Sequence, residues 1–332
     1  MKKVAVVGMG IFGTALALTA VRAGNKVLGW ARQQDVVDDI NQKHISPKYL
    51  PNIPLPEEIE ATTDVAEVLD FAEVVLLAVS AQATRAVMRL IKPYLKPNTI
   101  IVLCAKGIEA ETGKMLSEVA QEEIPDTIIA VLSGPGFAVD IAQRKFASVT
   151  IACEQEQVAE RLVESLATPY FRPYTTKDII APQIGGSVKN VIAIASGMIE
   201  GAGLGDGARA ALIARGLAEM GRLAEALGGK TETMMGMCGL GDLVLTASCS
   251  QSRNFSFGYE VGVCGRARKV MEANTRTVEG IATAKAVVKR AQAAKVEMPI
   301  CEIVNKMLFE DMGLAAAMEE LLRRPYKKEG FI

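Results

Sequence analysis

Three glycines at Gly8-x-Gly10-x-x-Gly13 narrow the fold more than any other feature of the chain, because of what flanks them. Val4–Val7 is a short β-branched run of the kind buried on both faces of a sheet. After the glycines, Thr14–Ala23 carries apolar residues at helical spacing, Gly24 is placed as a stop, and Lys26–Trp30 reads as the next strand. Each glycine then has a task. Gly8 turns the chain tightly, Gly10 lets backbone approach a pyrophosphate, and Gly13 lets the helix pack close to the strand. The free N–H groups and dipole at the helix start suit phosphate. Spacing alone is weak evidence, but strand, glycine turn, helix, stop and strand in this order imply a Rossmann-type dinucleotide-binding domain.

The acidic residue that would accept hydrogen bonds from the ribose hydroxyls of NAD is missing at the end of the second strand, where Arg32 stands. A guanidinium suits a 2′-phosphate through charge and forked donors, so NADP(H) is the preferred cofactor on this reading. A solvated arginine is the alternative, and it leaves NAD(H) open. The same stretch imitates a secretory signal, with Met1-Lys2-Lys3, an apolar run and Ala15-Leu16-Ala17. Cleavage there would remove the central strand, so export is not expected and the cytoplasm is.

With 332 residues, half of them apolar, the chain can build two domains with cores of their own. A formal net charge of −1 provides no electrostatic footprint for nucleic acid, so an anionic substrate must be met by local basic residues. No apolar run is long enough to span a bilayer, and a soluble protein is expected. The six cysteines show neither CxxC nor Cys/His spacing, which suggests no metal site and no disulfide framework. His44, the one histidine, lies in a polar, proline-rich segment and reads as a loop residue. An enzyme exchanging a hydroxyl proton would therefore turn to lysine.

Along the chain, Asp35–Asn41 reads as a short helix and the segment through Thr62 as a long connection. Val74–Val79 and Thr99–Ala105 are apolar runs expected as interior strands, the second ending at Lys106, at the sheet edge where open α/β folds bind ligands. Lys106 is there either a ligand-binding group or a strand-end surface residue. Thr127–Leu132 delivers Ser133-Gly134-Pro135-Gly136-Phe137-Ala138 to the same edge. Phe146–Ala152 and Phe171–Thr175 read as further strands around a helix Gln155–Leu166, and Lys177–Ile180 as one more.

From Pro182 the pattern turns helical, which sets the expected domains at 1–181 and 182–332. Ala208–Leu227 carries Leu212, Leu217, Met220, Leu223 and Leu227 down one side with Arg215 and Glu219 paired at one-turn spacing, and reads as a core-packing helix. Further helices are expected over Val278–Ala293, Pro299–Phe309 and Leu314–Arg323. Gly185-Gly186-Ser187-Val188-Lys189-Asn190 places Lys189 in the first turn of an apolar helix, Val191–Ile199. Desolvation, the helix dipole and a second cation such as Lys106 would each favour a neutral amine that exchanges protons near neutrality; the alternative is a lysine snorkelling to water. Gly239-Leu240-Gly241-Asp242 sets a carboxylate after a glycine turn. Ser252-Arg253-Asn254 offers a hydroxyl, a forked cation and an amide, either a phosphate receptor or a capped helix start. Glu279 reads as a carboxylate at a helix N-terminus.

Taken together, GMGIFGTALA, YLPNIPLP, CAKGIE, SGPGFA, SVKNVIAIASGMIEGAGLGDGARAALIARGLAEM, GLGDLVLTASCSQSRN and VEGIATA resemble bacterial-type NAD(P)-dependent sn-glycerol-3-phosphate dehydrogenases over essentially the whole chain. The resemblance implies a Rossmann domain followed by an all-α domain like the C-terminal domain of 6-phosphogluconate dehydrogenase. It also implies reversible NAD(P)H-dependent reduction of dihydroxyacetone phosphate to sn-glycerol 3-phosphate for glycerophospholipid synthesis. Residue by residue, it implies Lys189 as proton donor and acceptor, and Lys106, Gly134, Gly136, Lys189, Asp242, Ser252, Arg253 and Asn254 as substrate contacts. Cofactor contacts fall on Gly8, Gly10, Ile11, Phe12, Gly13, Arg32, Lys106, Ala138, Arg253, Thr277 and Glu279. Two positions depart from the family: Gly136 stands where threonine or serine is usual, and Ile11 where serine is. A homodimer is compatible with the sequence, which does not fix the oligomeric state. The competing readings are a β-hydroxyacid or 6-phosphogluconate-type dehydrogenase, disfavoured by Ser252-Arg253-Asn254 and the GLGD turn, and a catalytically silent NADPH sensor, disfavoured by Lys189 with Asp242.

Overall fold

A computed structural model describes residues 2–325. The chain forms two compact units, one of Met1–Lys106 and Met115–Ile179, the other of Gly107–Lys114 and Ile180–Ile332. Among the described residues no helix is long and apolar enough to cross a membrane.

The first unit is an eight-stranded sheet of β1 (Lys3–Val7), β2 (Lys26–Trp30), β3 (Ile59–Thr62), β4 (Val74–Leu77), β5 (Ile100–Leu103), β6 (Ile128–Ser133), β7 (Ala147–Ala152) and β8 (Phe171–Thr176), in the order β3-β2-β1-β4-β5-β6-β7-β8. Its helices are α1 (Ile11–Arg22), α2 (Gln34–Lys43), α3 (Val65–Phe71), α4 (Thr84–Ile91), α5 (Leu116–Glu123), α6 (Ala138–Ala142) and α7 (Glu156–Leu166). The first six strands, β1 to β6, are all parallel to one another, β7 pairs antiparallel with β6, and β8 is parallel to β7. Val4 and Val6 enter one apolar core while Ala5 and Val7 enter the other, so β1 is buried on both faces, as its unbroken apolar run demands. The strand order reverses between β1 and β4, where this sheet type opens its ligand crevice at the carboxyl ends.

Two sequence expectations change here. The segment through Thr62 is not all connection: β3 pairs with β2, its Ile59 and Ala61 buried and Glu60 exposed, in a four-residue alternation too short to stand out. Lys177–Ile180 is not a strand; it is the irregular lead into the first helix of the second unit. The proline-rich segment is pinned by Leu50 and Leu55, both buried, and His44 is the left-handed C-cap of α2 (φ 52°).

The second unit is helical: α8 (Ala181–Gly201), α9 (Asp206–Ala226), α10 (Thr231–Met234), α11 (Asp242–Ala247), α12 (Arg253–Cys264), α13 (Ala267–Ala273), α14 (Glu279–Ala293), α15 (Pro299–Phe309) and α16 (Leu314–Leu322). Helix α8 is its axis, buried at every residue from Ala181 to Met198. Helix α12 packs on it backbone to backbone: a Cβ at Gly197 would strike the Phe255 carbonyl, and one at Gly258 the Ile194 carbonyl. Glu219 of α9, one turn from Arg215, lies on the core-packing side of its helix. It is buried, and its carboxylate accepts hydrogen bonds from the backbone N–H groups of Ile300 (2.7 Å) and Cys301 (3.3 Å), filling the start of α15.

Candidate active site

The glycine turn follows β1 directly. Gly8 adopts φ 108°, and the N–H groups of Gly8 and Met9 both donate to the Trp30 carbonyl at 3.1 Å, tying the turn to the end of β2. A Cβ on Gly13 would collide with the Gly8 carbonyl, whereas one on Gly10 would meet nothing within 4 Å. The approach to Gly10 is therefore open, and the close packing falls on Gly13. Helix α1 has no side-chain cap and no acidic residue in its first turn, and its first backbone bond runs from Thr14 N–H to the Gly10 carbonyl at 2.9 Å. The N–H groups of Ile11, Phe12 and Gly13 are left for an outside acceptor, so these residues fit the pyrophosphate of a dinucleotide. Side-chain chemistry at Ile11 is not needed for that contact. Ile11 and Phe12 pack against the core below.

Arg32 lies just past β2, exposed and without an ion-pair partner among the described residues. Lys106 follows β5, and its Nζ donates to the Gly134 carbonyl at 2.7 Å, which joins two of the sequence-predicted residues across neighbouring strand ends. Gly136 lies in the same turn, where a Cβ would press on Ile141 Cδ1 at 2.9 Å; the glycine and Ile141 are matched in size. Ala138 begins α6. Ser133 ends β6 with its Oγ buried and without a hydrogen-bond partner among the described residues. Burial pushes the neighbouring Cys104 thiol up to about 12, partly offset by Lys106, so it offers no nucleophile near neutral pH.

In the helical unit Lys189 is 6% exposed and its Nζ donates to Asp242 Oδ1 at 2.6 Å and to Thr246 Oγ1 at 2.8 Å. Asp242 and Thr246 are one turn apart on α11, which explains the pair of contacts; Thr246 is a partner that sequence reasoning missed, although its four-residue spacing from Asp242 signals it. One sequence expectation fails. Lys189 is not in a first turn, because α8 begins at Ala181 and runs through Gly185 and Gly186. Those glycines do not break the helix. A Cβ at Gly185 would strike the Cys238 carbonyl, so close packing requires the glycine there. The helix dipole therefore does not act on Lys189, and its charge is instead opposed directly by Asp242.

Ser252 is the N-cap of α12, its Oγ accepting from Phe255 N–H at 3.2 Å, so the capped-start reading of this serine holds. Arg253 is exposed at the first helical position. Asn254 turns inward: its Nδ2 donates to Asn190 Oδ1 at 2.9 Å and its Oδ1 accepts from Gly280 N–H at 2.9 Å. That amide fastens α8, α12 and α14 together, and what Asn254 offers an anion is its backbone N–H at the helix start. Thr277 and Glu279 are exposed at the beginning of α14.

Family models agree with this arrangement. Residues 3–159 match the NAD-dependent glycerol-3-phosphate dehydrogenase N-terminus and residues 178–319 the C-terminus of the same family. The chain is 46% identical to glycerol-3-phosphate dehydrogenase [NAD(P)+] of Rhodospirillum rubrum, over 98% of this chain and 94% of that one. Against the enzyme of the same name from Maricaulis maris the identity is 47%, over 99% and 98%. The crystal structure of glycerol-3-phosphate dehydrogenase from Coxiella burnetii superposes with a TM-score of 0.91 at 38% identity, covering 97% of this chain and 99% of that one. The chain belongs to the NAD-dependent glycerol-3-phosphate dehydrogenase family.

Proposed function

We propose that the chain catalyses the reversible reduction of dihydroxyacetone phosphate to sn-glycerol 3-phosphate with NAD(P)H, supplying glycerophospholipid synthesis. The observation that carries this reading is the buried ammonium of Lys189, fixed by Asp242 and Thr246 within a chain of this family. When bound, the nicotinamide supplies the hydride. Negative charge then develops on the substrate oxygen, and Lys189 stabilises it by donating a hydrogen bond and then its proton. In the oxidative direction the neutral amine takes the proton back. Asp242 and Thr246 act on the lysine by fixing where Nζ lies, so that the proton leaves from one position.

The proposed substrate contacts are Lys106, Gly134, Gly136, Asp242, Ser252, Arg253 and Asn254. Arg253 suits the phosphate as an exposed guanidinium at a helix start, where charge and backbone N–H groups act on the same anion. The proposed cofactor contacts are the Gly8–Gly13 turn, Arg32, Lys106, Ala138, Arg253, Thr277 and Glu279. NADP(H) is the preferred form, since Arg32 stands exposed at the end of β2 where an acidic residue would select NAD. We assign the N-terminal domain to the cofactor and the helical domain to substrate and catalysis, place the enzyme in the cytoplasm, where its free cysteines would stay reduced, and take a homodimer as the assembly to test by sedimentation.

Steady-state oxidation of NADPH with dihydroxyacetone phosphate, compared with small 3-keto-acids, and reduction of NADP+ with sn-glycerol 3-phosphate, compared with small 3-hydroxy-acids and 6-phosphogluconate, test the function. Turnover confined to the carboxylate substrates would replace this reading with that of a hydroxyacid dehydrogenase.

A further inference from the structure

We propose that Arg22 and Arg144 form a second anion site, for a small organic phosphomonoester, in a cavity of about 280 Å³ at the carboxyl ends of α1 and α6. Thr19, Lys145, Tyr170 and Phe171 also line it. All of these residues lie in the first unit, and none belongs to the glycine turn or to any contact assigned above to substrate or cofactor.

The charges in this cavity are unbalanced. Arg22 uses its guanidinium on neutral partners, donating to the Ile141 carbonyl at 3.0 Å and the Ala142 carbonyl at 2.6 Å. The contacts close the end of α6 and leave donors of the five-donor fork over. The Arg144 guanidinium makes no hydrogen bond or ion pair among the described residues. Lys145 is already matched, by Asp140 at 2.6 Å. Two guanidinium charges thus face the cavity with no carboxylate between them. Their proximity is felt at Arg22, which burial and the Arg144 charge together push below the usual arginine range. Like charges held side by side become favourable when an anion enters between them.

Backbone conformation adds a second observation. Arg144 has φ 62°, the left-handed region, where glycine would sit without strain, and its N–H closes the turn after α6 by donating to the Ile141 carbonyl at 3.1 Å. A long cation is held at a position whose backbone favours glycine. Two guanidiniums without a carboxylate partner call for a dianion, and a phosphomonoester carries about −1.5 to −2 near neutral pH where a carboxylate carries one charge. Ile141, Pro169, Tyr170 and the buried Phe171 add an apolar and aromatic part of the wall for the organic part of the ligand, beside the hydroxyls of Thr19 and Thr168. The cavity is at the small end of the range for ligand sites, which limits the ligand to a compact molecule.

Arg144→Gly separates the site from the fold, because glycine suits the backbone while removing the cation. Phenyl phosphate and inorganic phosphate are titrated by calorimetry at constant ionic strength, in an Arg253→Ala background that removes the proposed substrate-phosphate contact. Phenyl phosphate is expected to bind with one-to-one stoichiometry and more tightly than inorganic phosphate. Adding Arg144→Gly should weaken it at least tenfold while leaving the thermal midpoint of the unliganded protein equal or higher. Unchanged affinity on losing Arg144 overturns the site, and equal affinity for inorganic phosphate overturns its assignment to an organic ligand. If the glycine variant does not fold, Arg144→Gln gives the same comparison. The readout is binding rather than turnover, so failure of the proposed dehydrogenase activity would leave this test intact.

Discussion

Removing Lys189 should cost the protein twice, because the residue is half of a buried ion pair with Asp242 at 2.6 Å. Lys189→Met removes the proposed proton carrier, and turnover should fall at least about a hundredfold. It also strands a buried carboxylate, an effect of roughly 3 to 5 kcal/mol, so the thermal midpoint should drop as well. Adding Asp242→Asn should restore the midpoint and leave turnover low; calorimetry and steady-state kinetics on the two variants separate packing from chemistry. Recovery of turnover in the double variant would remove Lys189 from the mechanism. At Arg32 the expected change is in cofactor choice: Arg32→Asp should weaken NADPH and spare or improve NADH, since a carboxylate repels a 2′-phosphate and accepts from ribose hydroxyls. Fluorescence titration with both cofactors reads it, and parallel changes in the two affinities would show that Arg32 does not discriminate.

The tie between α9 and α15 makes stability depend on pH. Burial pushes the Glu219 carboxyl up to about 7, against the opposing pull of the Ile300 and Cys301 N–H groups. An acid whose folded value is raised holds its proton more firmly folded than unfolded, so its contribution is full below the unfolded value near 4.5 and is lost as pH rises through about 7. At about 1.4 kcal/mol per unit this is on the order of 3 kcal/mol between pH 4.5 and pH 8. Glu219→Gln should flatten that part of the profile of thermal midpoint against pH, and an unaltered slope would assign it to other groups. Glu219 also shows where sequence reading stops. Its one-turn spacing from Arg215 marks a residue of a core-packing helix, and only the arrival of α15 shows that its carboxyl caps another helix. The same holds for Gly185 and Gly186, which look like a helix break until Cys238 is seen packed against the first of them. The Gly8–Gly13 turn was legible because its strand, turn and helix are contiguous and each glycine acts on near neighbours. Lys189 was legible as a misplaced cation among alanines and isoleucines, while Thr246, Asn190 and the inward turn of Asn254 depend on contacts between helices distant in sequence.

At the scale of the molecule, the chain passes between the two units three times, at Lys106/Gly107, Lys114/Met115 and Ile179/Ile180. Residues 107–114 group with the helical unit, where Lys289 Nζ donates to the Glu111 carbonyl at 2.8 Å and Gly113 lies against Lys289 and Ala286 of α14. A chain ending at Ile179 keeps the sheet and loses the partner of that excursion, so it should bind more of a hydrophobic dye than the same chain with residues 107–114 replaced by a Gly-Ser linker. Equal dye binding would show that the excursion is indifferent to the helices. The threading also sets an order of events on the ribosome. Glu111 and Lys289 are 178 residues apart, so at roughly 5 to 20 residues per second the excursion waits about 9 to 36 s after its own synthesis before α14 exists to receive it. For that interval the nascent sheet carries an unfinished strap within its sequence, and Ile108, fully buried in the finished unit, waits uncovered until the helices are made.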